Sequence, residues 1–123
     1  MTPVVTGLRE RKRSRVAVEL DGRPWRVLPT DAVVRARLTA GRPLDRSTAR
    51  VLAREVRRAK ALAAATRSLA ASDRSERALE QRLARAGHSA AAREEAIASL
   101  ARTGAIDDAR LAASRAEVLA RRG

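Results

Sequence analysis

From Arg46 to Ala71 the chain runs without a glycine or a proline, and alanine, arginine and leucine dominate the stretch. Those residue types lose little on entering a helix. Leu52, Val56, Ala59 and Ala63 repeat at i, i+4, i+7 spacing with Leu62 and Leu69 alongside, the periodicity of a helix with one buried stripe. A helix of that length would run about 40 Å at 1.5 Å per residue. The spacing therefore predicts a mainly α protein.

Shorter helices follow. Ser75 stands where an N-cap belongs, Leu79, Leu83 and Ala86 mark one face, and Gly87 takes the C-terminal glycine position. Ser89 opens a further helix carrying Ile97 and Leu100 and ending at Gly104. Asp107 caps another with Leu111, Ala112 and Leu119, running to Arg121-Arg122-Gly123. Upstream, Pro29-Thr30-Asp31 starts a short helix with Val34 and Leu38 that Gly41 and Pro43 stop, and Leu44-Asp45 opens the long one.

The N-terminal region reads differently. Val16, Val18 and Leu20 alternate with Ala17 and Glu19 and lead into Asp21-Gly22, a pair suited to a two-residue type I′ hairpin turn. Closing that turn sets Leu20 opposite Arg23, Val18 opposite Trp25 and Val16 opposite Val27, with the large apolar groups on one face. An isolated hairpin is only marginally stable, so Pro3 to Leu8 is expected to add a third strand, joined through a loop at residues 9–14.

Branched aliphatic side chains number 13 Leu, 10 Val and 2 Ile, and Trp25 is the one aromatic residue, so the core is modest and a thin, extended shape is expected. The formal charge is +13, with net +10 in residues 1–60 and +3 in residues 61–123. Such a field attracts polyanions and repels copies of itself, which predicts nucleic acid, or a protein assembled on it, as partner and a monomeric chain. All but Lys12 and Lys60 of the cations are arginine, whose planar fork suits phosphates and carboxylates.

No cysteine and a single histidine leave no basis for a thiolate site or an imidazole cluster, and no nucleophile-base pair or phosphate-cradling glycine loop occurs. The expectation is a binding protein, not an enzyme, with no cofactor, metal or small-molecule ligand. Asp107-Asp108 and Glu94-Glu95 lie at helix starts, where capping and the helix dipole explain carboxylates more simply than catalysis. No apolar run suits a bilayer span or a secretory leader, so a cytoplasmic, membrane-free protein is expected.

Two sets of cations are candidates for phosphate or partner contact. Arg9, Arg11, Lys12, Arg13 and Arg15 crowd the loop between the first two strands. Arg74, Arg77, Arg82 and Arg85 recur near i, i+3 and i+4 spacing, opposite the Leu79–Leu83 face. Trp25 could stack on a base, but its expected partner Val18 favours a place in the core.

The run from Leu69 to Leu79, then Leu83, Gly87, Ile97, Leu100, Gly104, Ile106-Asp107-Asp108, Arg110 and Leu111-Ala112, resembles the first helical repeat of the RecX family, regulators of the RecA recombinase. The segment ending in Asp21-Gly22 resembles the strand-turn-strand of that family's longer members. The resemblance implies a tandem short-helix array built on a three-helix repeat and preceded by a small antiparallel β-hairpin subdomain: an N-terminal β-hairpin and short-helix part at 1–44, a three-helix repeat at 45–106, and the first helix of an incomplete second repeat at 107–123. It also implies a protein that binds the RecA filament on DNA and inhibits its ATPase and strand exchange, with Arg110 joining the contact residues. This sequence departs from the family pattern at Ala78, where a glutamate is usual, and at His88 and Leu111, where aromatics are. Family members continue into further repeats beyond the position of Gly123. The charge alone equally suits a protein that coats DNA without sequence preference and has no recombinase partner.

Overall fold

A computed structural model describes residues 1–122 of the chain; Gly123, the last residue of the 107–123 segment, lies outside them. The elements run β1 (Val5–Arg11), β2 (Arg15–Leu20), β3 (Arg23–Pro29), α1 (Thr30–Arg35), α2 (Arg46–Ala71), α3 (Glu76–Arg85), α4 (Ala90–Arg102) and α5 (Asp108–Arg122). They fall into two compact units, residues 1–60 and residues 61 onward, the division lying inside α2.

In the first unit an antiparallel sheet of order β1-β2-β3 carries the core. Asp21 and Gly22 both have positive φ, 51° and 77°, as the expected turn requires, and Leu20 does face Arg23. The register then shifts by one residue: Glu19 faces Pro24 but Val18 faces Arg26, leaving Trp25 as the extra residue of a bulge. Pro24 has no N–H to give the ladder, and proline is tolerated at edge strands and bulges. One inserted residue reverses the parity of everything beyond it. Val16 therefore faces Leu28, which is buried, while Val27 faces Ala17 and is 46% exposed, correcting the expected Val16–Val27 pair. Trp25 is half-buried against the core, with the Arg26 guanidinium carbon 4.9 Å from its ring centroid.

Val5, Val16, Val18 and Leu28 pack with Val33 and Ala36 of the α1 region, Leu38, Leu44 and Leu52. Helix α1 ends on Arg37 at φ 56°, with Leu38 N–H bonded to Val33 O and Arg37 N–H to Val34 O, a tight C-terminal closure. That closure brings Leu38 into the core and leaves Val34, expected on the apolar face, 66% exposed. The outer side of β1 is tied to the segment before α2, through Val5 N–H to Arg42 O at 2.9 Å and Gly41 N–H to Val5 O at 2.7 Å.

Helix α2 spans Arg46–Ala71, inside a stretch free of glycine and proline that runs from Leu44 to Ala86. The Asp45 carboxylate accepts from Thr48 N–H at 2.8 Å at its start. Bonds from the Thr48 backbone and hydroxyl, with Arg42 nearby, hold the Asp45 carboxyl below the usual aspartate range despite some opposing desolvation. The predicted stripe does not persist: Ala63 is exposed, and Ala61 and Ala65 are fully buried instead. A helix serving two cores keeps its apolar period only within each.

In the second unit Leu79 and Leu83 of α3 pack with Ile97 and Leu100 of α4, Ile106 and Ala65. Ala61 meets Ala92 and Ala96 in a smaller cluster. Ser75 accepts from Ala78 N–H at 3.1 Å and Ser89 from Ala92 N–H at 3.3 Å, the two N-caps expected. Gly87 and Gly104 take φ of 90° and 78° to close α3 and α4. Among the described residues no helix is long and apolar enough to cross a membrane.

Candidate anionic-partner interface

The strand pairing sorts the N-terminal cations onto a surface. Val16 and Val18 point into the core, so their neighbours Arg15, Ala17 and Glu19 point away. Residues directly opposite share a face, and the outer face therefore holds three rungs: Gly7, Glu19 and Pro24; Arg9, Ala17 and Val27; Arg11, Arg15 and Pro29. Arg9, Arg11 and Arg15 are exposed there above a low floor of Ala17 and half-exposed Val27.

This corrects the placement of that set. Strand β1 extends to Arg11, so Arg9, Arg11 and Arg15 belong to strands, and the connecting turn is only Lys12, Arg13 and Ser14. Arg13 and Ser14 have φ of 64° and 56°. Ser14 O accepts from Thr30 N–H at 2.9 Å, which holds the turn against the start of α1. Arg11 and Arg15 stand directly opposite, a like-charge pair that costs stability until an anion neutralises it. The face is not uniformly cationic: at its far end the Glu19 side chain lies over Gly7, where a Cβ would come 3.1 Å from Oε2.

The helical set is split by its contacts. Arg77, Arg82 and Arg85 are exposed on α3. Arg74 is half-buried, and its Nε donates to Ser68 Oγ at 2.7 Å, tying the segment before α3 to the end of α2. Arg77 borders a groove that also holds Glu76, Glu80, Glu94 and Asp108, so the field around it is mixed. Arg110 is exposed in the first turn of α5, its N–H given to Asp107 Oδ1 at 2.9 Å.

The neighbouring carboxylates close helix ends. Asp107 caps α5, and Asp108 Oδ1 accepts from Glu76 N–H at 3.0 Å, at the start of α3. Arg93 joins the turn before α4 to α3, giving Nε to Glu80 at 2.5 Å and a guanidinium N–H to His88 O at 2.6 Å. Among the described residues no group of three or more His, Cys, Asp or Glu is arranged to hold a metal ion.

A further set escaped the sequence reading. Arg46, Arg50, Arg54, Arg57 and Lys60 are exposed along the first-unit part of α2. They recur at i, i+4, i+8, i+11 and i+14, a single helical stripe. The signal lies in the same helical spacing, carried by its charged positions and not its apolar ones.

Among the described residues, a small three-stranded antiparallel sheet followed by five helices defines a helix-rich fold. The crystal structure of regulatory protein RecX is similar to it, with a TM-score of 0.87 and 22% sequence identity over 95% of this chain and 58% of that one. That likeness shows the fold, and this chain spans 58% of the solved chain's length. No family model matches the sequence, and no curated protein does.

Proposed function

We propose that this protein binds the RecA recombinase filament on DNA and modulates it, lowering ATP hydrolysis and strand exchange during recombination and repair. The observation that carries the reading is the shared fold with a RecX regulatory protein along almost the whole chain. The ordered motifs from Leu69 to Ala112 point the same way. Arg9, Arg11, Lys12, Arg13 and Arg15 supply the main contact, to filament phosphate or to acidic recombinase surface, since guanidinium groups pair with either. Arg82, Arg85 and Arg110 are secondary contacts; Arg77 and Arg74 contribute less, the first because of its glutamate neighbours and the second because it is bonded to Ser68. The chain acts without catalysis of its own.

The charge of +13 supports a second reading, a protein that coats DNA with no recombinase partner. Binding to single-stranded DNA, bare or covered by recombinase held with a non-hydrolysed nucleotide, separates the two. A regulator prefers the covered DNA; a coating protein binds the bare strand as well or better.

A further inference from the structure

The sheet of the first unit has an open edge at β3. Strand β1 is tied to residues 41–42 at its start through Val5, and at the opposite edge, among the described residues, Arg23–Leu28 of β3 make no backbone bond beyond the sheet. Beside β3 lies a groove of about 620 Å³ whose other wall is the first-unit part of α2. Trp25, Arg26, Val27 and Leu28 all line it. Beyond the bulge at Trp25 side chains alternate between faces, so the consecutive Arg26, Val27 and Leu28 line one groove because the strand's backbone edge borders it. Leu28, Leu44 and Leu52 from the core floor the groove, with half-buried Val56 beside them. Its charged lining is Arg26, Arg57 and Lys60, with no carboxylate.

We propose that this groove takes an acidic, extended peptide segment of a partner protein, which adds to β3 as a fourth strand. The free backbone edge supplies the hydrogen bonds of strand addition, and the groove takes alternate side chains. Apolar residues of the peptide rest on Leu28, Leu52 and Val56, and its carboxylates meet Arg26, Arg57 and Lys60. A second copy of this chain is disfavoured by the net positive charge on both copies. A single-stranded nucleic acid would meet the cations but not use the aliphatic floor, and Arg26 already covers one face of the only stacking ring. The inference is independent of the recombinase reading and holds or fails on its own.

Trp25 is the sole tryptophan and the chain has no tyrosine or phenylalanine, so its fluorescence reports the groove directly. The probe is an end-blocked peptide matched in length to β3 and alternating glutamate with valine. It should shift Trp25 emission saturably. The same peptide with lysine for glutamate should not bind, N-methylation of alternate amides should abolish binding, and the exposed double variant Arg57→Glu/Lys60→Glu should weaken it roughly tenfold or more with an unchanged melting curve. Equal binding of the lysine or N-methylated peptide, or undiminished binding to the folded double variant, overturns the proposal. So does a stronger Trp25 response to oligothymidylate than to the glutamate peptide, which would assign the groove to nucleic acid.

Discussion

Arg11 and Arg15 face each other directly across β1 and β2, at the mouth of a turn that also carries Lys12 and Arg13. A folded chain gains nothing from this pairing: opposed like charges on neighbouring strands destabilise a sheet, and a three-residue turn keeps them from drifting apart. The arrangement has an energetic use when a polyanion arrives. Stability and binding should then respond to the same substitution in opposite directions.

Arg15→Thr keeps a residue suited to a strand and removes one charge of the pair. The free protein should become more stable by about 0.2–1 kcal/mol in denaturant titration. Binding to duplex DNA should weaken, with the slope of log affinity against log salt falling by about 1 if Arg15 meets a phosphate. Lower stability together with unchanged binding would assign Arg15 a structural role.

Removing three charges from the turn region gives a larger effect. Arg11→Ala, Lys12→Ala and Arg13→Gly together should flatten the same salt slope by about 2–3 units. Glycine is the choice at position 13 because φ there is 64°, where a Cβ is strained. An unaltered slope would move the contact to the α2 stripe or to Arg82 and Arg85.

Trp25 is half-buried, so Trp25→Ala should cost about 2 kcal/mol, below the roughly 3–5 kcal/mol expected of a fully enclosed tryptophan. Leu79→Ala in the second unit, where the side chain is fully buried, should cost about 2–5 kcal/mol. Thermal or chemical unfolding of both variants checks the contrast. A larger loss at Trp25 than at Leu79 would mean that the bulge seals the tryptophan more completely than its exposure indicates.

The difference between those two residues also marks what could be read in advance. Leu79 and Leu83 lie on a helix bounded by Ser75 and Gly87, and capping chemistry is local, so face and limits followed from the sequence together. The start of α2 at Asp45 followed for the same reason. Trp25 was misplaced because the hairpin turn was right but the bulge after it was not foreseen; Pro24 was the clue, and one shifted residue exchanged Val27 for Leu28 in the core. Arg9, Arg11 and Arg15 looked like a loop because five cations and one glutamate carry no apolar alternation. Their strand pairing comes from Ala17 and Val16 on the neighbouring strand, which no local pattern in residues 9–13 reveals. Arg77 looked like part of a cationic strip until α4 brought Glu94 to the same groove.

Acid should weaken the first unit through Asp45. Its carboxyl titrates lower in the folded chain than in the unfolded one, so its contribution is present above the unfolded value and fades as pH falls through the folded value. Asp45→Asn keeps a capping oxygen but removes the titration, so the melting temperature of that variant should fall less than the parent's on acidification below about pH 4. Parallel curves would mean that Asp45 does not contribute to the acid transition.

The central claim is that the cationic sheet face acts on a recombinase filament. The direct measurement is ATP hydrolysis by preassembled filaments on single-stranded DNA, titrated with this protein and with its Arg9→Ala/Arg11→Ala/Arg15→Ala variant. The account predicts that the parent lowers hydrolysis and that the folded variant needs a clearly higher concentration for the same effect. Hydrolysis that stays unchanged while the parent saturates bare DNA, or equal inhibition by parent and variant, would contradict it.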